Sequence, residues 1–211
     1  MNDNTASPIA HSQSYDQGLI ERLLFKVAKK WVAGYSAADA IAAARNSNAG
    51  GMQAILNFLG EDITDENTIQ ETVKEYSRLM DLLHTRKIDG CISVKPTQVG
   101  LAISYDYCLR NLRELARKAK DQNRFLWIDM ESAKFTDDTI SIYLELFKEY
   151  RESGVAIQAY LKRSASDLLH ILEQPWGGGK VRLVKGAYHE IEEHAFTSRE
   201  DVDRNYSKLM R

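Results

Sequence analysis

The sequence predicts an α/β protein of the (β/α)8 TIM-barrel type, with about the first four βα units of the barrel placed behind a set of N-terminal helices. Strand and helix patterns alternate regularly after residue 88, which is typical of a parallel sheet covered by helices. The strand patterns are almost continuously apolar, as expected for strands that are buried on both faces. Polar residues stand at or near the carboxyl ends of four successive strands, at Lys95, Asp129, Gln158 and Arg182.

The spacing of these polar residues favours a barrel over an open, doubly wound sheet. They are 34, 29 and 24 residues apart, about one βα unit each time, and a barrel carries its chemistry on such a ring of strand ends. An open sheet binds its ligand at one switch point, usually beside a glycine-rich first loop, and the sequence has no GxGxxG motif. A complete barrel has eight strands and roughly 250 residues, so residues 88–211 are expected to form a partial barrel domain.

Ahead of the barrel, residues 1–14 are predicted to be a disordered tail and residues 15–87 a helical section. The tail is polar and lacks the apolar core of a secretory signal. The helical section begins with apolar spacing that is typical of a helix over 16–33. Ser36, with Asp39 three residues on, has the pattern of a capping box for a second helix.

Two more helices are predicted before the first barrel strand. A glycine pair separates the second helix from a short third helix that is expected to end near Leu59-Gly60. Thr64 is the predicted N-cap of a longer helix that runs to about Arg86, with acidic residues in its first turn.

The barrel region is predicted to alternate four strands with helices. The strand patterns cover residues 91–95, 125–130, 155–161 and 181–185. The helix patterns cover residues 105–120, 137–152 and 165–173, and a last helix starts from about Asp201. Ser104 and Thr136 stand where the N-caps of the first two of these helices are expected.

Composition excludes several classes of function. The formal net charge is −2 over 211 residues, so there is no bulk positive charge to attract nucleic acid. Cys91 and Cys108 are the only cysteines, which excludes a disulfide framework and favours a reduced, cytoplasmic setting. No apolar run is long enough to span a membrane.

The strand that carries Arg182 is followed by several other candidate binding residues. It ends on Lys185, Gly186 and Ala187, so two cations and a bare backbone suit an anionic or planar ligand. A lysine at a barrel strand end, Lys95 or Lys185, also leaves a Schiff-base aldolase open as an alternative.

Two patterns near this strand are interpreted as structural. His189 and His194 are five residues apart, whereas a zinc-binding HExxH helix places its histidines four apart, so no metal site is predicted. The glycines at 177–179 are followed by neither Lys-Ser nor Lys-Thr, so this loop is interpreted as a linker rather than a phosphate-binding loop.

Four strand motifs, taken in order, resemble the proline dehydrogenase family, whose members oxidise L-proline to 1-pyrroline-5-carboxylate with a flavin. The motifs are Val-Lys-Pro-Thr-Gln at 94–98, Ile-Asp-Met-Glu at 128–131, Ile-Gln-Ala-Tyr-Leu at 157–161 and Val-Arg-Leu-Val-Lys-Gly-Ala-Tyr at 181–188. Leu59-Gly60-Glu61 also looks like the family, and the resemblance covers roughly residues 30–211.

The resemblance implies roles for individual residues. Lys95 is expected to pair with the substrate carboxylate, and Asp129 and Arg182 are expected to form the catalytic pair beside FAD. The residues that the resemblance implies as FAD contacts are Met130, Gln158, Lys185, Gly186 and Ala187.

The resemblance also implies partners for the chain. A quinone-type electron acceptor is expected, and peripheral contact with the inner face of a membrane is a hypothesis that goes with it. Family members continue beyond the position of Arg211 with a Thr-His pair and two arginines that bind the proline carboxylate, so we expect an incomplete site in this chain alone. A non-catalytic fragment stays open as an alternative, and the open edges of a partial barrel predict self-association or a partner chain that completes it.

Overall fold

The computed structural model describes residues 32–34 and 36–211, in two units that divide between Ala43 and Ala44. The tail predicted at 1–14 lies outside the described residues, as does nearly all of the helix predicted at 16–33.

The helices and strands have the following bounds along the chain. They are α1 (Ala37–Ala49), β1 (Ala54–Leu56), α2 (Glu66–Thr85), β2 (Gly90–Val94), α3 (Tyr105–Asp121), β3 (Leu126–Ile128), α4 (Thr136–Glu149), β4 (Ser153–Gln158), α5 (Ser164–Leu172), β5 (Val181–Val184) and α6 (Arg199–Leu209). Short 3₁₀ turns at Pro96–Gln98 and Ala133–Phe135 follow β2 and β3.

The five strands form one parallel sheet in the order β1-β2-β3-β4-β5. A doubly wound sheet reverses its strand order at a switch point, and these five strands show no reversal. Consecutive helices from α2 to α5 are in contact: α2 packs against α3, α3 against α4, and α4 against α5. Sequential parallel strands with a series of neighbouring helices are the arrangement of consecutive βα units in a barrel, so the predicted fold class is confirmed.

The short third helix predicted to end near Leu59-Gly60 is wrong, because Ala54–Leu56 is strand β1. Three apolar residues do not distinguish a strand from a helix by periodicity, and here the parallel pairing with β2 decides the conformation. Ala54 pairs with Gly90, where a Cβ would stand only 2.6 Å from the carbonyl oxygen of Ala54. The sheet therefore begins inside the section that was predicted to be helical.

Of the four helix N-caps predicted from the sequence, those at Ser36 and Ser104 are confirmed and those at Thr64 and Thr136 are wrong. Ser36 and Asp39 form the expected capping box, with the Asp39 N–H donating to Ser36 Oγ at 3.2 Å, and Ser104 Oγ accepts from the Tyr107 N–H at 3.2 Å. The cap predicted at Thr64 is wrong, since Asp65 accepts from the Thr68 N–H at 3.4 Å.

The cap predicted at Thr136 is also wrong. A 3₁₀ turn at Ala133–Phe135 already winds the chain into α4, so Thr136 is the first helical residue and Phe135 takes the N-cap position. The last helix begins at Arg199 behind the N-cap Ser198, two residues before the predicted start at Asp201.

Alternation along the strands divides the sheet into two chemically different faces. One face is apolar and fully or almost fully buried. It consists of Ile92 and Val94 of β2, Leu126 and Ile128 of β3, and Val155 and Ile157 of β4. Burying such side chains contributes about 1.5–3 kcal/mol each.

The opposite face of the sheet carries the polar side chains. Pairing between strands places Ser93 opposite Trp127 and Trp127 opposite Gly154, and it places Ala156 opposite Arg182. A Cβ at Gly154 would stand 2.8 Å from Cε3 of the Trp127 indole. The small residues of β4 therefore make room for the large side chains of β3 and β5.

Candidate functional site

Asp129 and Arg182 form an ion pair on the polar face of the sheet, between the Oδ1 and Nη2 atoms. Ser93 joins them, since its hydroxyl donates to Asp129 Oδ1 at 2.5 Å and accepts from Arg182 Nη2 at 3.1 Å. The Asp129 and Arg182 side chains are 13% and 27% exposed. Partial burial makes this pair worth more than a surface salt bridge, and removing one partner leaves a costly unpaired charge.

The strands determine how the two charges meet. Asp129 follows the last residue of β3, and its N–H donates to the carbonyl of Val94 at 2.9 Å. Arg182 is the second residue of β5 and pairs with Ala156, the residue after the partner of Ile128, so its long side chain reaches across β4 to Asp129 at the same level of the sheet. The guanidinium carbon lies 5.2 Å from the centre of the Trp127 ring, which supports it by a cation–π contact.

Lys95 forms a second polar group at the carboxyl end of β2. Its Nζ donates to Glu61 Oε1 at 3.0 Å and lies 3.5 Å from the Tyr188 hydroxyl. The Tyr188 hydroxyl also donates to Glu61 Oε1, at 2.8 Å. Burial, followed by this bond to the Glu61 carboxylate, raises the pKa of Tyr188 above its ordinary value. The three side chains therefore join the loop after β1 to the ends of β2 and β5.

Glu131 is a buried carboxyl group beside these two clusters, with only 2% of its surface exposed. It accepts from the Thr97 N–H at 2.8 Å and from the Thr97 hydroxyl at 2.6 Å. Burial raises the pKa of Glu131 from 4.5 to about 6, although the two bonds from Thr97 and the charge of Lys95 act in the opposite direction. A carboxyl group held this way suits a structural role at the site.

The structure places Met130 and Gln158, the first two predicted FAD contacts, in the interior. Met130 is 6% exposed and Gln158 is 2% exposed. Gln158 Nε2 donates to the backbone carbonyl of Glu131 at 2.7 Å and so ties the end of β4 to the segment after β3.

Lys185, Gly186 and Ala187 follow β5 in an irregular segment that bends at Tyr188. Lys185 forms an ion pair with Asp203 of α6, and both side chains are about half exposed. Gly186 has a φ of 106°, and a Cβ there would stand 2.5 Å from Cε1 of Tyr160, so only glycine fits this turn. Ala187 is exposed.

The predicted site residues therefore form separate groups. Asp129 and Arg182 are in direct contact, Lys95 belongs to the group with Glu61 and Tyr188, and Lys185 is paired with α6 instead. Their catalytic and binding roles stay predictions.

Ser93 and Trp127 contact the Asp129–Arg182 pair but were not predicted from the sequence. Strand alternation was the available signal, because Ser93 lies two residues before Lys95 and Trp127 two before Asp129. Nothing in the sequence showed that Lys95 pairs with Glu61, 34 residues away.

The described residues contain neither a metal-binding cluster nor a membrane-spanning helix. No group of three or more His, Cys, Asp or Glu side chains among residues 32–34 and 36–211 is arranged to hold a metal ion. Among the described helices, none combines the length and the apolar character needed to cross a membrane.

Comparison of the sequence with known proteins identifies relatives. The family model described as proline dehydrogenase matches residues 40–211. Proline dehydrogenase 1 of Bacillus subtilis subsp. natto is 30% identical over 185 residues, which are 87% of this chain and 60% of that protein. Proline dehydrogenase of Deinococcus radiodurans is 30% identical over 198 residues, 91% of this chain and 63% of that protein.

Comparison with solved structures gives the same fold. Proline utilization A from Bdellovibrio bacteriovorus matches with a TM-score of 0.80 at 23% identity, over 98% of this chain and 26% of that chain. The corresponding protein from Corynebacterium freiburgense matches with a TM-score of 0.74 at 23% identity, over 98% of this chain and 25% of that chain.

The chain spans about 60% of the length of the Bacillus relatives that it matches. Because the proline dehydrogenase family model covers residues 40–211 and relatives at 30% identity align with most of the chain, the chain belongs to the proline dehydrogenase family.

Proposed function

We propose that the chain oxidises L-proline to 1-pyrroline-5-carboxylate as part of an FAD-dependent proline dehydrogenase. The observation that carries this proposal is the cluster of Ser93, Asp129 and Arg182 on the polar face of a barrel-type sheet, in a chain of this family. Hydride transfer needs a substrate carbon held at a fixed distance and orientation. A partly buried, mutually bonded set of polar side chains provides a rigid surface for that purpose.

Lys95 is the proposed partner of the substrate carboxylate. Its side chain is 17% exposed, so a bound anion interacts with a partly desolvated ammonium. Glu61 pairs with that ammonium in the structure, and a substrate carboxylate competes with it for the same donors. Tyr188 donates a hydrogen bond to Glu61, so it lies next to the carboxylate that the substrate would replace.

Arg182 is the chain's best-placed residue to contact a flavin. Its two recorded hydrogen bonds both come from Nη2, and its Nε is buried without a hydrogen-bond partner among the described residues. The guanidinium has five N–H donors in a rigid fork, and the two donors of Nη1, which bond to no described residue, remain for a flavin nitrogen or oxygen. This donor set fits the group, and the flavin, when bound, supplies the hydride acceptor.

The other proposed flavin contacts lie on segments next to β5 or at the same end of the sheet. Gln158 is the last residue of β4, which pairs with β5, Met130 follows β3 by two residues, and Lys185–Ala187 follow β5 directly. In this proposal Asp129 holds the guanidinium in place, and Arg182 provides positive charge where electron density increases.

The aldolase alternative is less well supported than proline oxidation. Lys95 and Lys185 are both in ion pairs with carboxylates, whereas a Schiff-base lysine acts as a free amine nucleophile. Trapping with borohydride and a carbonyl substrate separates the two functions, because only an aldolase becomes covalently labelled.

The proposal is tested by turnover. The purified protein, supplied with FAD, is assayed for reduction of a soluble quinone analogue that depends on L-proline. Asp129→Ala is compared with Asp81→Ala, which removes an aspartate that pairs with Lys118 outside the site. We expect turnover by the wild type and by Asp81→Ala, and at least a hundredfold loss in Asp129→Ala, on the order of a buried ion pair. Absence of proline-dependent reduction by the wild type, both alone and with a partner chain that completes the barrel, contradicts the proposal.

A further inference from the structure

The loop between β1 and α2 reaches the site through Glu61 but has a strained backbone. Gly60 has a φ of 113° and Asp62, which is not a glycine, has a φ of 52°. A left-handed conformation at a residue other than glycine is unfavourable and is maintained by contacts with neighbouring residues. Glu61 lies between these two residues, so its position depends on whatever holds them.

Thr97 supplies the contacts that hold Asp62 and its neighbour. Thr97 Oγ1 accepts from the Asp62 N–H at 2.9 Å, and the Thr97 carbonyl accepts from the Ile63 N–H at 3.2 Å. Gln98 holds the other side of the loop, because its Nε2 donates to the carbonyl of Gly60 at 2.7 Å. The 3₁₀ turn Pro96–Gln98 is therefore the support on which the loop rests.

Glu131 fixes this turn from beneath. Its Oε2 accepts from the Thr97 N–H at 2.8 Å and its Oε1 accepts from the Thr97 hydroxyl at 2.6 Å. A hydroxyl has one hydrogen to donate, and because that hydrogen goes to Glu131, the lone pairs of Thr97 Oγ1 face the Asp62 N–H. The carboxylate thus determines both the position of the turn and the direction of the hydroxyl.

The turn also carries Lys95. Lys95 is the residue immediately before Pro96–Gln98 and takes the N-cap position of that turn. Lys95 and Glu61, which form the ion pair of the proposed substrate site, are consequently held on two segments that meet at Thr97. Thr97 is 1% exposed and Glu131 is 2% exposed, so neither side chain is accessible to a substrate.

We infer that Glu131, acting through Thr97, is a positioning residue for substrate binding, because it sets the turn that bears Lys95 and the loop that bears Glu61. This inference rests on the proposed function for its kinetic consequence, whereas its structural part concerns the loop alone. It assigns Glu131 no contact with substrate or flavin.

The inference is tested with three variants and one control. Thr97→Val removes the hydroxyl and keeps the shape, Thr97→Ser keeps the hydroxyl, and Glu131→Gln leaves one oxygen acceptor for two donors. Thr139→Val is the matched control, because Thr139 is also fully buried but its hydroxyl has no hydrogen-bond partner among the described residues.

Two readouts are measured on the FAD-loaded protein. Amide hydrogen exchange reports on the Asp62 and Ile63 N–H groups, and steady-state kinetics report KM and kcat for L-proline. In Thr97→Val and Glu131→Gln we expect exchange at these amides to become about tenfold faster and KM to rise about tenfold, the effect of losing one or two hydrogen bonds, with kcat changed less. Thr97→Ser and Thr139→Val are expected to match the wild type in both.

The outcomes separate this inference from the proposed function. Unchanged exchange in Thr97→Val and Glu131→Gln overturns the inference, and so does faster exchange with an unchanged KM. Equal effects in Thr97→Val and Thr97→Ser also overturn it, since the hydroxyl would then be irrelevant. If the wild type does not respond to proline, the proposed function fails and with it the role in substrate binding, while the exchange data still decide whether Thr97 holds the loop.

Discussion

Ser93 donates its hydroxyl hydrogen to Asp129 Oδ1 at 2.5 Å, across the pairing of β2 with β3. The same oxygen of Ser93 accepts from Arg182 Nη2 at 3.1 Å. One serine, 2% exposed, therefore contacts both members of the ion pair. Its hydroxyl fixes how the carboxylate and the guanidinium are oriented toward each other.

Replacing Ser93 by alanine is expected to lower kcat for L-proline about tenfold, because Arg182 loses one of its two hydrogen bonds to described residues. Flavin content and KM are expected to change little. Ser153→Ala is the matched control, since Ser153 is buried in β4 and donates to the Tyr150 carbonyl at 2.7 Å. Both variants are expected to lose about 1 kcal/mol of unfolding free energy. Equal kcat values in the two variants would show that Ser93 does not orient the pair.

Lys95→Met is expected to raise KM for L-proline at least tenfold, on the order of one charge-assisted hydrogen bond. The change removes the proposed partner of the substrate carboxylate and leaves the hydrocarbon part of the side chain. Lys118→Met is the control, because Lys118 also forms a salt bridge, with Asp81, at 2.6 Å. A KM that rises equally in both variants, or in neither, speaks against carboxylate binding by Lys95.

Gly186→Ala is expected to destabilise the protein by roughly 3 kcal/mol, from backbone strain together with a clash. The new methyl group meets the buried ring of Tyr160, and the φ of 106° already disfavours any other residue. Gly177→Ala separates the two causes. Gly177 has a similar φ of 102° but no atom within 4 Å of the position of a Cβ, so only about 1 kcal/mol is expected there. Urea unfolding measures both variants, and equal losses would remove the contact with Tyr160 from the explanation.

The buried Glu131 predicts a pH dependence of stability. Its pKa is raised from 4.5 to about 6 on folding, so between these values the folded protein binds more protons at this group than the unfolded chain does. Its contribution to unfolding free energy is therefore greatest below pH 4.5 and falls as pH rises to 6, by about 2 kcal/mol in total.

The test compares the wild type with Glu131→Gln, because other carboxylates contribute slopes of their own. Asp81, for example, has a lowered pKa through its hydrogen bond from Lys118 and contributes a slope of opposite sign. The wild type is expected to lose stability relative to the variant as pH rises from 4.5 to 6. The quantity compared is the unfolding free energy of the wild type minus that of Glu131→Gln. If this value stays constant or increases as pH rises, the assignment of the raised pKa to Glu131 is contradicted.

Local sequence patterns correctly predicted those parts of the structure that depend on interactions between residues close together in the chain. Ser104 caps α3 through an N–H three residues away, and the strand motifs of β2 to β5 follow from apolar runs bounded by polar ends. Asp129 and Arg182 were identified as candidates for the same reason, because they are charged residues in or beside apolar strands, whereas their pairing was implied by the family resemblance.

The sequence was insufficient where partners distant along the chain decide the structure. β1 has three residues and exists because Ala54 pairs with Gly90 of β2. Glu61 meets Lys95 across 34 residues of chain, and the loop that bears Glu61 is bonded to Thr97, a contact that no local pattern reveals. Thr136 was misplaced because the turn before it is already helical, which its residue type does not reveal.

The most direct test of proline oxidation is a single-turnover reduction of bound flavin. The purified protein is loaded with FAD, freed of unbound flavin and mixed anaerobically with L-proline while the visible flavin absorption is recorded. We predict that bound flavin is retained and bleached by L-proline in the wild type, and that Asp129→Ala retains flavin but bleaches at least a hundredfold more slowly. A wild-type protein that binds FAD and is not bleached by L-proline, even with a partner chain that completes the barrel, would contradict the account.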